Sequence, residues 1–144
     1  MLQIARLSPK QLGDSSKLVE RFLHSQLNDD GGFRDRSGNS DLYYTVFGLE
    51  ALIALSAEVP TAAVAAYLRG FGPGESLDLL HLCCLIRAWA NVCRSGPPVD
   101  ADALAARIEA HRTPDGGYNT LPGAEAGTAY GCFVAMGAYQ DLRR

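Results

Sequence analysis

Two arginines, Arg34 and Arg36, stand a few residues ahead of the run Asp41-Leu42-Tyr43-Tyr44-Thr45, where an acidic residue opens an apolar segment. Such a residue at the head of a helix accepts a hydrogen bond from a free backbone N–H, so the run reads as a capped helix start. Guanidinium groups beside the positive end of a helix dipole suit an anion. His81, near the start of a second apolar segment, and Arg112, ahead of the loop leading into a third, could add charge at the same rim. Behind them Tyr43, Tyr44, Phe47, Trp89, Tyr130 and Phe133 offer an aromatic lining for an apolar ligand, with Tyr43, Phe47 and Tyr130 foremost. The plainer alternative is that these rings are core, as aromatic residues on buried helices usually are.

Other chemistry is thinly represented. Asp35, Asp41 and Asp78 are the acids at the same rim, but a glycosidase pair is defined by a carboxylate separation that a sequence does not provide. The string Asp100-Ala101-Asp102 opens an amphipathic helix, where capping explains it. Cys83, Cys84, Cys93 and Cys132 all fall inside apolar helical patterns and read as small buried hydrophobes. Neither a CxxC pair nor a His/Cys cluster at zinc-finger spacing occurs, so a structural zinc site is not indicated.

The whole chain bounds these readings. With 144 residues, 47% of them hydrophobic and 20% charged, it is apolar enough to fold around a core and too apolar for a disordered segment. A net charge of -3 without a Lys/Arg cluster argues against nucleic acid. Met1 to Gln11 lacks the apolar stretch of a signal peptide, and no segment approaches the roughly 20 apolar residues of a membrane span, so the expected location is cytoplasmic.

The segments that must position the candidate residues are of two kinds. Ser16 to Leu27, Thr61 to Leu68 and Ala101 to Arg112 are amphipathic, with stripes such as Leu18, Val19, Phe22, Leu23 and Leu104, Ile108. Asp14 or Ser15, Pro60 and Asp100 mark their starts. Asp41 to Leu55, Asp78 to Val92 and Gly127 to Tyr139 are apolar nearly all round, which predicts burial on every side. Strict alternation implies an outer and an inner layer of helices, an all-α array of about three helical hairpins at roughly 14–56, 60–94 and 100–142. Aligning the inner helices sets Asp41 over Asp78 and over Gly127. The preceding loops also correspond: Asp30-Gly31-Gly32-Phe33 in the first, Asp115-Gly116-Gly117-Tyr118 in the third, and only Gly72-Pro73-Gly74 in the middle. Paired glycines let a chain reverse after a helix and pass close to a neighbour.

The loop-and-helix unit from Gln26 through Phe33 and Arg36 to Asp41, Tyr44 and Leu52 resembles the repeat of protein prenyltransferase beta subunits and squalene-cyclase-type enzymes. So does Thr113 to Asn119 with Pro122, Gly123 and Gly127 to Tyr130. The resemblance runs from about residue 14 to 142. It implies a partial α/α toroid, inner and outer helices around a cavity, of which family members usually close the ring with five or six hairpins. A shorter array implies a homodimer or a missing toroid half, because apolar flanks are seldom left bare.

In those prenyltransferases the ligand is an isoprenoid diphosphate, and zinc held by an Asp, a Cys two residues on and a distant His activates a thiol. By that likeness Arg36 and Tyr44, with Arg34 beside them, are the diphosphate candidates, and Asp41 the first zinc ligand. The cysteine position holds Tyr43. The histidine position falls on Tyr44 and on Tyr130, leaving Asp41, Asp78 and His81 as the candidate metal set. Gly72-Pro73-Gly74-Glu75-Ser76 lacks the cysteine and glutamine of the related thioester domains. The expectation is therefore a prenyltransferase-like repeat protein that binds an isoprenoid diphosphate and transfers it to an acceptor. The alternative is a non-catalytic toroid module that binds another protein.

Overall fold

A computed structural model describes residues 12–93, 98 and 100–143. The described residues form six α-helices and no strand: α1 (Ser15–Ser25), α2 (Leu42–Ala54), α3 (Thr61–Arg69), α4 (Leu79–Val92), α5 (Ala101–Glu109) and α6 (Ala129–Leu142). None is long and apolar enough to cross a membrane. The all-α reading holds, with the amphipathic and apolar helices in the expected order. The chain divides into two compact units, Met1–Tyr67 and Leu68–Arg144.

Each apolar helix begins where a side-chain oxygen can replace the missing turn. Asp41, in extended conformation, accepts from the N–H groups of Tyr43 and Tyr44 at 2.8 and 3.1 Å. Asp78 accepts from the N–H of His81 at 2.8 Å, and Asp100 does the same for Asp102 in α5. The cap of α6 is Thr128, whose hydroxyl accepts from Gly131 N–H at 2.9 Å. Gly127, expected at that place, has no side-chain oxygen to offer. Its Cα instead lies so near Gly117 that an added Cβ would sit 2.8 Å from the Gly117 Cα.

In the second unit α4 packs against α6 and α5. Leu79, Leu82, Cys83 and Ile86 of α4 meet Leu104 and Ile108 of α5, Ala135, Ala138 and Leu142 of α6, and the loop residue Tyr118. The small Gly131, Ala135 and Ala138 let α6 approach closely, a large-into-small fit that side chains one methylene larger would disturb. Arg107 of α5 donates to the carbonyls of Gly74 and Glu75 in the connector ahead of α4, at 2.8 and 2.7 Å. In the first unit α1 packs against α2, and Phe33, Leu42, Thr45, Val46, Leu49, Leu52 and Val64 are buried.

Two burial expectations are corrected. The stripe of α1 does not face a core: Leu18, Val19 and Phe22 are exposed and only Leu23 is half-buried. The apolar helices are not enclosed on every side either, since α2 exposes Tyr43 and Phe47, and α6 exposes Tyr130, Phe133 and Met136. Only α4 fits the expectation, with eight of its residues buried. An all-round apolar pattern does not tell a helix flanked on both sides from one at an edge.

Candidate functional site

Each unit carries one loop of the Asp-Gly-Gly-aromatic type, and the two loops share most of their hydrogen bonds. Asn28 N–H donates to Gly32 O and Thr113 N–H to Gly117 O, both at 2.9 Å. Asp30 accepts from the Gly32 N–H and the Ser40 hydroxyl, while Asp115 accepts from the N–H groups of Gly117 and Gly127. The caps reach back to the aromatic residue, Asp41 N–H to Phe33 O at 3.0 Å and Thr128 N–H to Tyr118 O at 2.9 Å. The aromatic N–H goes to the side chain four residues past the cap, Thr45 Oγ1 at 3.0 Å or Cys132 Sγ at 3.4 Å. These bonds fix the correspondence of Asp41 with Thr128, one residue beyond the sequence alignment. Tyr130 is thereby equivalent to Tyr43, and Gly131 rather than Tyr130 stands at the position of Tyr44.

In the first unit the loop carries Arg34 and Arg36 out to solvent. The Arg34 N–H donates to Gln26 O, and Asp35 closes the following turn by accepting from Ser37 and Asn39 N–H at 2.7 and 2.9 Å. Both arginine side chains are exposed and Tyr44 is half-buried. Beyond the Asp41 cap, the exposed rings of Tyr43 and Phe47 meet edge to face with centroids 4.7 Å apart. Tyr43 also stands edge-on to Tyr44 at 6.0 Å. Burial, aided by Asp30 and then Asp41, pushes the Tyr67 hydroxyl up to about 12, so it stays protonated. Tyr130 lies in the other unit, exposed on α6.

The helix N-termini are less open to an anion than the sequence implies. Asp41 already occupies two N–H groups of α2, and Asp78 one of α4. A further anion there meets a carboxylate instead of free donors. Arg112 is also engaged: it pairs with Glu109 at 3.3 Å and lies 5.7 Å over the Tyr118 ring.

Each candidate metal donor is engaged within its own unit. Asp78 and His81 come together, with 2.8 Å between Asp78 Oδ1 and His81 Nδ1. Partial burial raises the Asp78 carboxyl, but the His81 backbone and ring hydrogen bonds outweigh it and hold the group below its usual range. That oxygen is thus shared between a cap and an imidazole. Asp41 is likewise turned to its own helix, and the cysteine position is Tyr43. Among the described residues no group of three or more His, Cys, Asp or Glu could hold a metal ion. Cys83 and Cys84 are buried, and burial pushes the Cys83 thiol up to about 12, far from a reactive thiolate.

A polar cluster in the second unit escaped the sequence. Glu109 Oε1 accepts from the hydroxyls of Tyr118, at 2.6 Å, and Tyr139. It joins α5, the loop and α6 over sequence distances that no local pattern reports. The Tyr118 and Tyr139 hydrogen bonds, with Arg112 behind them, lower the Glu109 carboxyl below its ordinary 4.5. A carboxyl lowered by folding adds stability that is present above that value and lost as pH falls through the folded pKa. The wild type is therefore expected to lose more stability than Glu109→Gln on acidification below about pH 5. Denaturant titrations at stepped pH check this, and parallel curves for the two proteins would sink it.

No curated protein and no solved structure matches the chain significantly. The profile of the prenyltransferase alpha-alpha toroid domain matches it twice, over residues 2–81 and 68–143. With nearly its whole length matched, the chain belongs to the prenyltransferase alpha-alpha toroid family.

Proposed function

We propose that the chain binds an isoprenoid diphosphate on its first unit, with the prenyl tail along Tyr43 and Phe47 and the diphosphate on Arg34, Arg36 and the Tyr44 hydroxyl. The observation that carries this is the exposed, edge-to-face aromatic pair one helical turn from a loop that presents two arginines. Covering apolar surface of the rings and tail contributes about 25 cal/mol per Å². Guanidinium groups are the side chains best shaped for phosphate oxygens. Asp30, Asp35 and Asp41 stand nearby, each turned to loop or cap N–H groups, and the two guanidinium groups must outweigh their charge. If transfer follows, the bond from prenyl carbon to diphosphate oxygen breaks as an acceptor nucleophile bonds to that carbon, and the two arginines receive the leaving diphosphate.

The test is retention of labelled farnesyl and geranylgeranyl diphosphate by the purified chain. Micromolar binding is expected, weakened about tenfold or more, or roughly 1.4 kcal/mol, in Arg34→Ala/Arg36→Ala. Farnesol, which lacks the diphosphate, should not distinguish that variant from the wild type. Absence of retention at micromolar concentration would overturn the proposal. Exposed Leu18, Phe22, Phe133 and Met136 favour a second reading, a toroid repeat module that binds protein. It predicts a stable complex without ligand retention.

A further inference from the structure

Counting from the caps shows which face of each apolar helix lies bare. Positions one, five and eight after the cap fall within roughly a 60° arc at 100° per residue. In α2 that arc holds Leu42, Val46 and Leu49, and in α4 Leu79, Cys83 and Ile86, all buried. In α6 it holds Ala129, Phe133 and Met136, and all three are exposed, Phe133 at 71% and Met136 at 58%. What covers the α4 face is the hairpin that follows it: α5 brings Leu104 and Ile108, and α6 brings Ala135, Ala138 and Leu142. The α6 face is thus the equivalent of that docking surface, and no described residue buries it.

The complementary surface is found at the other end of the chain. Arg107, eleven residues before Tyr118, reaches back to the connector of the preceding hairpin at Gly74 and Glu75. Eleven residues before Phe33 stands Phe22, 59% exposed, with Leu18 one turn earlier at 62%. Positions three, seven, ten and fourteen of α6 are the buried Gly131, Ala135, Ala138 and Leu142. Of the α2 equivalents, Gly48 is buried against Phe33, while Tyr44, Ala51 and Leu55 are only half-buried. Among the described residues, the first hairpin therefore presents exposed apolar side chains at Leu18 and Phe22, its leading edge, and the third at Phe133 and Met136, its trailing edge.

We propose that these edges meet between two copies of the chain, head to tail, with Phe133 and Met136 of one copy covered by the α1–α2 hairpin of the next. A second copy fits because it carries the missing half of a contact the chain already makes once internally, with apolar side chains on both sides. Bare apolar edges of this kind mark association sites. Unlike residues meet across the contact, which makes it heterologous rather than two-fold symmetric in its residue pairing. The inference goes beyond the ligand reading and does not depend on it.

Sedimentation of the chain without ligand tests it. The wild type is expected to self-associate at micromolar concentrations, while Phe133→Asp and Phe22→Asp each lose a different edge and sediment more slowly. An equimolar mixture of the two variants retains one intact pair of edges and should form a heterodimer and nothing larger. Phe133→Leu should associate as the wild type does, and far-ultraviolet circular dichroism should show unchanged helix in every variant, since the changed side chains are exposed. A wild type that is monomeric throughout overturns the proposal. So does undiminished association of Phe22→Asp, which would indicate α6 pairing with α6, and so does a mixture of folded variants that stays monomeric.

Discussion

Gly31→Ala is expected to unfold the first unit, whereas Gly116→Ala at the equivalent place in the second is expected to be tolerated. Both glycines have a left-handed backbone, with φ of 92° and 86°, so both substitutions carry the same conformational penalty of about 1–2 kcal/mol. Their surroundings differ. A Cβ on Gly31 would overlap the carbonyl oxygen of Ala63 and stand 2.5 Å from its carbon. Those are backbone atoms of α3, which cannot rotate away as a side chain would. A Cβ on Gly116 meets nothing within 4 Å. Displacing α3 from the loop adds an overpacking cost of about 1–3 kcal/mol or more, and the total approaches the roughly 5–15 kcal/mol that holds a domain together. Denaturant unfolding of the two variants measures the difference, and equal losses would refute the assignment of the Gly31 cost to α3.

Those glycines were legible because their role is local. The Asp-Gly-Gly-aromatic string and the acids at 41, 78 and 100 each report a loop or a cap within a few residues, and the structure uses them so. The displaced cap of α6 has the same kind of explanation. Eight residues lead from Phe33 to Asp41 but ten from Tyr118 to Thr128, and an alignment by composition placed the start on Gly127. The threonine was the available signal, because its hydroxyl can accept the N–H three residues on, and a glycine has no side-chain acceptor to offer.

What depends on neighbours was not legible. Val46 and Phe133 sit at the same place after their caps and are both apolar, yet one is buried and the other bare. Periodicity identifies a face, and only the next element decides whether water reaches it. The candidate residues divide along the same line. Arg34, Arg36, Tyr43, Tyr44 and Phe47 lie within fourteen residues, so their proximity follows from one loop and one helix. Arg112 looked equally suited to an anion, but Glu109 and the Tyr118 ring engage it.

Gly48→Ala is expected to destabilise the protein in the wild-type background and to become neutral or stabilising once Phe33 is Ala. Gly48 sits inside α2, where alanine is intrinsically favoured by about 1 kcal/mol. Propensity therefore predicts a gain. Packing opposes it, because a Cβ there would overlap Cδ1 and Cε1 of Phe33 and stand 2.6 Å from Cγ. The ring is buried, and its backbone is held by Thr45 Oγ1 on one side and Asp41 N–H on the other, so it has little room to yield. Overpacking of this kind costs about 1–3 kcal/mol and outweighs the propensity gain. Phe33→Ala alone should cost about 3–5 kcal/mol through the cavity it leaves. The Gly48→Ala/Phe33→Ala pair should lose at least about 1 kcal/mol less than the sum of the singles, since the new methyl enters the space the ring vacates. A double-mutant cycle by denaturant unfolding measures the coupling. If the two losses add, the ring does not rest on Gly48, and the glycine would have to be explained by something other than the aromatic plug that joins loop to helix.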